Sequence, residues 1–287
     1  MPVVTSDLVA QLRAKTGAGL MDCKRALTST EGDFEKAIQI LREQGAASAA
    51  KRSGRATAAG LVQATVAAGG KTAVLLDLTC ETDFVARTDD FKGLLNDLLQ
   101  KAAAATPAWS SAADAPQERV KELAAKLGEN IVLKRFARFD RPAAGLFASY
   151  IHPSESVKVG ALIELAAASD KGASAPEAAE LGKVLAMQAA ANGARWVNPQ
   201  DIPADLIEKE KAIGREKAKN EGKPEKIWDK IAEGNLKKFF QDFCLLEQAD
   251  NLNPKSTLRQ RVEDVSKKLG EPVTVKRFAR FKVGEED

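Results

Sequence analysis

Side chains able to do acid–base, nucleophilic or metal chemistry are few in this chain and far apart. His152 is the only histidine, which leaves no basis for a histidine-rich metal site or a Ser-His-Asp array. Cys23, Cys80 and Cys244 are odd in number and widely separated. Their spacing fits neither zinc ligation nor a disulfide framework, so each reads as a small buried residue in a reduced, cytoplasmic protein. Gly17-Ala18-Gly19 precedes a helical pattern and could turn N–H groups towards an anion. No strand leads into it and no Gly-Lys-Ser/Thr follows, so a helix–helix turn is the simpler reading. Lys134-Arg135-Phe136-Ala137-Arg138-Phe139 offers cations and rings that could stack on RNA bases. The same hexapeptide returns at 276–281, as a structural strand would, with Lys and Arg able to lie along its edges. Net charge is +3, from 43 basic and 40 acidic residues, too even to indicate a nucleic-acid partner by bulk charge. No nucleophile–base pair, Walker loop or acid–base carboxylate pair stands out, so no covalent catalysis, cofactor or metal is expected. What remains is binding chemistry, concentrated at Thr82-Asp83-Phe84-Val85.

That tetrapeptide needs a particular frame. Ala73 to Leu78 is a short apolar run with the branching of a buried strand. After the tetrapeptide, Phe91, Leu94, Leu95, Leu98, Leu99 and Ala102 recur at spacings of three and four, as one face of a helix. Thr82-Asp83-Phe84 therefore falls where a strand hands over to a helix, and Thr82 or Asp83 can cap that helix. Phe84 has two readings: a core residue beside a capping Asp83, or an aromatic wedge and a carboxylate offered to a partner at a rigid tip.

The frame itself is written twice. Ala59-Gly60-Leu61 recurs as Ala144-Gly145-Leu146. Val74-Leu75-Leu76-Asp77-Leu78 recurs 87 positions on as Ala161-Leu162-Ile163-Glu164-Leu165. The helix face Phe91, Leu94, Leu98, Ala102 recurs as Ala178, Leu181, Leu185, Ala189. Lys126-Leu127-Gly128-Glu129 through Phe139 recurs as Lys268-Leu269-Gly270-Glu271 through Phe281, but 142 positions on, so about 55 residues are inserted between Ala189 and Lys268. Each copy reads as strand, strand, helix, helix, strand. Ile131, Leu133, Ala137 and Phe139 share one strand face, as do Val273, Val275, Ala279 and Phe281. The fold class is α+β, with antiparallel sheets carrying helices on one face.

The insertion reads as a helical hairpin. Pro203-Ala204-Asp205 opens a charged helix to about Asn220, and Glu221-Gly222-Lys223-Pro224 turns the chain. A second helix carries Trp228, Ala232, Phe239, Phe243 and Leu246 to about Gln248. Seventeen residues would make an arm of roughly 25 Å, either projecting or folded back. Ahead of the duplication, three short helices begin near Thr5 or Ser6, Met21 and Asp33 and form a small head. Gly45 to Gly60 follows as a helical or flexible linker. The expected boundaries are 1–55 for head and linker, 56–140 for the first copy, 141–198 with 253–287 for the second, and 199–252 for the hairpin. No apolar run approaches the roughly 20 residues of a membrane helix. The N-terminal Met1-Pro2-Val3-Val4-Thr5-Ser6-Asp7 lacks the basic flank and apolar region of a secretory signal.

Thr82-Asp83-Phe84-Val85 after a strand, together with Leu12-Arg13-Ala14-Lys15-Thr16-Gly17-Ala18-Gly19-Leu20-Met21-Asp22-Cys23-Lys24-Arg25-Ala26-Leu27, resembles the elongation factor Ts family over essentially the whole chain. The resemblance implies a guanine-nucleotide exchange factor for elongation factor Tu, a ubiquitin-associated-like head, and a protruding coiled coil at the insertion. It implies that Phe84 enters an apolar pocket of the GTPase while Asp83 perturbs its Mg²⁺ and phosphate site, with Thr82 and Val85 flanking. It also implies docking contacts at Arg13, Leu20, Met21, Lys24, Ile131 and His152. Leu20-Met21 stands where two methionines are more usual, and packing within the head is the alternative for both residues. A core position is the alternative for Ile131, and an ordinary surface histidine for His152. Some members continue past Val283-Gly284-Glu285 into a further gripping helix, which is not expected here. The partner is then elongation factor Tu, with no membrane and no direct nucleic-acid contact, and a homodimer stays open. The competing function is a non-catalytic adaptor that tethers proteins or RNA.

Overall fold

The structure is a computed structural model that describes residues 4–141, 144–154 and 158–285. The terminal residues on which the signal-peptide and C-terminal readings partly rest, 1–3 and 286–287, lie outside the described residues. The chain divides into two compact units: Met1–Leu61 with Leu76–Phe136 and Val283–Asp287, and Val62–Leu75 with Ala137–Lys282. Among the described residues, no helix is long and apolar enough to cross a membrane.

The head contains α1 (Ser6–Thr16), α2 (Leu20–Ser29) and α3 (Phe34–Arg52). Thr5 Oγ1 accepts from the Leu8 N–H to start α1, and Asp33 Oδ1 accepts from the Lys36 N–H to start α3. Gly17, at φ 69°, closes α1 in the left-handed conformation that suits glycine. Leu12, Cys23, Leu27 and Ala37 are fully buried between the three helices. The linker is helical as far as Arg52, because α3 runs unbroken through Gly45.

The first copy follows as β1 (Ala59–Val66), β2 (Thr72–Cys80), α4 (Asp83–Ala86), α5 (Asp89–Ala104), α6 (Gln117–Leu127) and β3 (Ile131–Asp140). The strands order β1-β2-β3. Side-chain ties Thr72 to Asp140, Asp77 to Arg135 and Thr79 to the Val132 carbonyl run in opposite directions along β2 and β3, which makes that pairing antiparallel. β2 is buried from Ala73 to Cys80, as a central strand must be. The apolar face of α5 (Phe91, Leu94, Leu95, Leu98, Leu99, Ala102) is buried throughout.

The second copy comprises β4 (Gly145–Ile151), β5 (Val159–Ala167), α7 (Asp170–Ala173) and α8 (Pro176–Asn192). The inserted α9 (Ala204–Asn220) and α10 (Trp228–Phe243) come next. A small β6 (Ala249–Asp250) and β7 (Asn253–Thr257) pair lead to α11 (Leu258–Leu269) and β8 (Val273–Lys282). The sheet β4-β5-β8 is antiparallel throughout, with a bulge between Glu164 and Leu165. Its core joins Ile163 and Leu165 with Leu181, Leu185 and Ala189 of α8.

The repeated Ala-Gly-Leu has a steric cause. A Cβ on Gly60 would lie 2.3 Å from the Leu78 carbonyl oxygen, and one on Gly145 would lie 2.2 Å from that of Leu165. Leu78 and Leu165 are themselves equivalent in the repeat, so both copies bring the same backbone too close for any side chain.

Three expectations need correction. The strand does not hand over to a single helix: Thr82 caps only the one-turn α4, and Thr88 Oγ1 caps α5 anew by accepting from the Phe91 N–H. The second helix of the hairpin ends at Phe243, not near Gln248. Leu245 and Leu246 donate their N–H groups to the carbonyls of Trp196 and Val197, which draws the backbone out of the helix and places Leu246 in the sheet–helix core. Finally, Arg135 does not lie along an edge. It is buried on the apolar face of β3, where Nε and Nη2 donate to Asp77 Oδ2 at 2.9 and 2.7 Å.

Candidate functional site

The tip is built from a strand end, a one-turn helix and the loop before β3. β2 delivers Cys80 and Glu81, after which α4 turns back. Ala86 is buried beneath this turn, Val85 is half-buried, and Thr82 and Asp83 are exposed. Phe84 is 79% exposed, so the core alternative does not hold for it. A phenylalanine left in water forgoes the stabilisation its burial would bring, about 1.5–3 kcal/mol. The neighbouring Phe91 is fully buried, so the unit has an aromatic-compatible core that Phe84 does not use. Asp83 forms an ion pair with Arg87, one turn on, at 3.0 Å.

The turn is held from below. Glu129 Oε2 accepts from the N–H groups of Glu81 and Thr82, each at 3.0 Å, and Oε1 accepts from the Thr82 hydroxyl at 2.5 Å. Glu81 Oε1 accepts in return from the Asn130 N–H at 2.7 Å, and Arg55 donates to the same carboxylate. The Asn130 N–H bond, followed by Arg55, holds the Glu81 carboxyl below its ordinary value of 4.5. Cys80 lies under the turn with its thiol pushed up to about 12, first by burial and then by the nearby Glu129 charge. Burial likewise raises Cys244 to about 11, so neither sulfur is a nucleophile at neutral pH. Among the described residues, no group of three or more His, Cys, Asp or Glu side chains could hold a metal ion.

The other candidates divide. Leu20 and Met21 are 51% and 63% exposed on α2, so their packing within the head is not what places them there. Arg13 and Lys24 are exposed too, and Met21 and Lys24 line an open groove with Arg25, Thr28 and Ser29. This head patch and the tip belong to the same unit. α3 is tied to α6 by Arg42–Glu122 at 3.0 Å, and Lys126 of α6 packs at Gly17 while pairing with Asp90 at the start of α5. Ile131 is 5% exposed and takes the core alternative. His152 lies in the other unit, exposed, with Nδ1 3.0 Å from the Tyr150 hydroxyl. The rings of the basic hexapeptide are engaged internally: Phe136 packs on Trp109, and Phe139 packs on Phe147 and beneath Arg277.

Sequence reasoning missed Glu81, Glu129 and Asn130. The repeat carried a signal for Glu129, because Glu271 recurs with it in the second copy.

The family model described as Elongation factor TS matches residues 81–285, from the base of the tip through the final strand. An elongation factor Ts of Symbiobacterium thermophilum is 45% identical over 286 residues, covering 99% of this chain and 93% of the relative. That of Desulfovibrio desulfuricans is 41% identical over the full length of both chains, and that of Clostridium botulinum 40% identical over 99% of this chain and 94% of its own. The chain belongs to the elongation factor Ts family of translation elongation factors.

Proposed function

We propose that this chain promotes GDP release from elongation factor Tu and its exchange for GTP, without covalent chemistry of its own. The observation that carries the reading is the solvent-facing Phe84 on a turn braced by the Glu129 carboxylate. Such an aromatic gains nothing for its own fold and is ready to be buried by a partner. Burial in an apolar pocket of the GTPase is worth about 1.5–3 kcal/mol, roughly a tenfold to hundredfold effect if it is realised only in the nucleotide-free shape. Affinity shared equally between loaded and empty shapes would speed nothing, whereas preference for the empty shape weakens GDP by the same factor. Asp83 brings a carboxylate to the Mg²⁺ and phosphate region, after exchanging its Arg87 partner for groups of the GTPase.

Arg13, Leu20, Met21 and Lys24 supply a second hold. An apolar pair flanked by cations is suited to docking, and its place on the same unit as the tip fixes the direction from which Phe84 approaches. The head (1–55) then acts as a dock, the first copy (56–140) as the lever, and the hairpin (199–252) and second copy as further grips, with His152 on the latter. A translation factor of this kind works in the cytoplasm.

The test is the dissociation rate of a fluorescent GDP from elongation factor Tu on addition of the full chain. Acceleration of several powers of ten is the expected result. Tight binding with an unchanged off-rate would instead identify an adaptor, for which the exposed Leu20-Met21 pair would suffice.

A further inference from the structure

At the base of the tip, one carboxylate, that of Glu129, takes three of the polar bonds that lead the chain into α4. A hydroxyl has one proton to donate and two lone pairs to accept with. The Thr82 hydroxyl gives its proton to Glu129, a short charge-assisted bond at 2.5 Å, and so keeps a lone pair for the Val85 N–H at 3.4 Å. The other Glu129 oxygen fixes the backbone N–H groups of Glu81 and Thr82, the last two before the turn. Both anchors of the peptide that carries Phe84 thus converge on a single side chain. The brace continues outward through Asn130, which is nearly buried. Its N–H binds Glu81, and its side-chain amide donates to the carbonyls of Ser53 and Arg55, in the segment that leaves α3.

The second copy carries the same relay with a different tip. Glu271 accepts from the Ser169 hydroxyl at 2.7 Å and from its N–H at 3.3 Å, and Ser169 Oγ in turn accepts from the Gly172 N–H at 3.0 Å. Ser169 caps α7 as Thr82 caps α4. The counterpart of Phe84 is Lys171, so this copy has the brace without an aromatic to present. The relay builds the turn in both copies, and the difference between them is the exposed aromatic that the first presents.

We infer that Glu129 is a positioning residue for nucleotide exchange: through the Thr82 hydroxyl and the flanking N–H groups it sets the direction in which Phe84 is presented. This rests on the exchange reading. Errors of aim are costly, because a ring that misses its pocket forfeits burial worth about 1.5–3 kcal/mol, roughly a tenfold to hundredfold effect.

Glu129→Ala and Glu271→Ala remove the matching bonds from the two copies and form a built-in control. GDP release from elongation factor Tu, measured against rising concentrations of each full-length variant, yields a maximal rate and a half-saturating concentration. Glu129→Ala is expected to lower the maximal rate at least about tenfold while moving half-saturation less than about threefold. Glu271→Ala should leave both within about twofold of wild type, and Phe84→Ala/Glu129→Ala should release GDP no more slowly than Phe84→Ala alone, within about twofold. Glu129→Gln, which keeps an acceptor for the Thr82 hydroxyl, should recover part of the loss and guards against a folding defect in the alanine variant. In the free protein, faster amide exchange at Thr82 and Val85 in Glu129→Ala should accompany the lost rate. Equal losses from both glutamates, multiplicative losses in the double variant, or a wild-type rate for Glu129→Ala would each overturn the inference. A wild-type protein that fails to speed GDP release would overturn the exchange reading itself, and the inference with it.

Discussion

Glu81 stands next to the tip and is tied to both the Asn130 N–H and Arg55, ties that hold its carboxyl below 4.5. A carboxyl that ionises more readily folded than unfolded adds stability above its unfolded value and loses it as pH falls through the folded one. Glu81→Gln should therefore lower stability at neutral pH, and its deficit against wild type should shrink below about pH 4.5. Denaturant midpoints of both proteins between pH 3 and pH 7 check this, and a deficit that stays constant with pH would mean that the ionisation of Glu81 does not contribute. The residues of the tip were legible unevenly. Thr82 and Asp83 could be read as candidate caps from a strand–helix junction, but spacing left Phe84 divided between core and surface. What decides it is a second cap at Thr88, which ends the turn before the apolar face begins at Phe91. Ile131 begins an alternating strand and lies on its inward face. Apart from the recurrence of Glu129 as Glu271, nothing in the sequence marks Glu129 and Asn130 as functional residues, because their partners are 47 to 77 positions away and no local pattern announces their meeting.

Among the elements, β1 and β4 were readable as repeats before they were explicable as structure. Gly60, at φ 153° and with the Leu78 carbonyl where a side chain would begin, admits no Cβ without displacement of β2. Gly60→Ala should cost about 2 kcal/mol or more, by overpacking and backbone strain, and lower the melting temperature. Gly69→Ala, in an open turn also at positive φ, isolates the strain contribution. Equal losses for the two would show that the close approach to Leu78 contributes little. The helices of the hairpin were legible from Pro203, the Gly222 turn and the apolar spacing. The end of α10 was not, because Leu246 keeps helical spacing with Phe239 and Phe243 while its N–H bonds to the distant Val197 carbonyl.

Over the whole molecule, the duplication extends to charge. Asp77 with Arg135 and Glu164 with Arg277 occupy equivalent places on the middle and last strands of the two copies. They differ in surroundings: Arg135 is 7% exposed and Arg277 is 45% exposed, lying over Phe139. Removing one partner of a buried pair strands the other charge, so Arg135→Met should cost about 3–5 kcal/mol. Arg277→Met should cost less, about 1–2 kcal/mol, because the half-exposed Arg277 is partly solvated already and its removal opens the buried Glu164 carboxylate to water. Urea unfolding of the two variants compares them, and the reverse order would mean that burial does not set the cost of these pairs. The copies thus share one scaffold, with glycine, ion pair and carboxylate brace in register, and differ where a partner would touch. Phe84 of one copy corresponds in repeat position to Lys171 of the other, and the inserted hairpin belongs to the second alone. The most direct test of the central claim is the rate of fluorescent GDP release from elongation factor Tu with wild-type protein and with Phe84→Ala. Wild type should accelerate release strongly, and a variant with melting temperature unchanged should lose about tenfold to a hundredfold of that effect. Equal acceleration by the two proteins would contradict the role of Phe84 as the wedge.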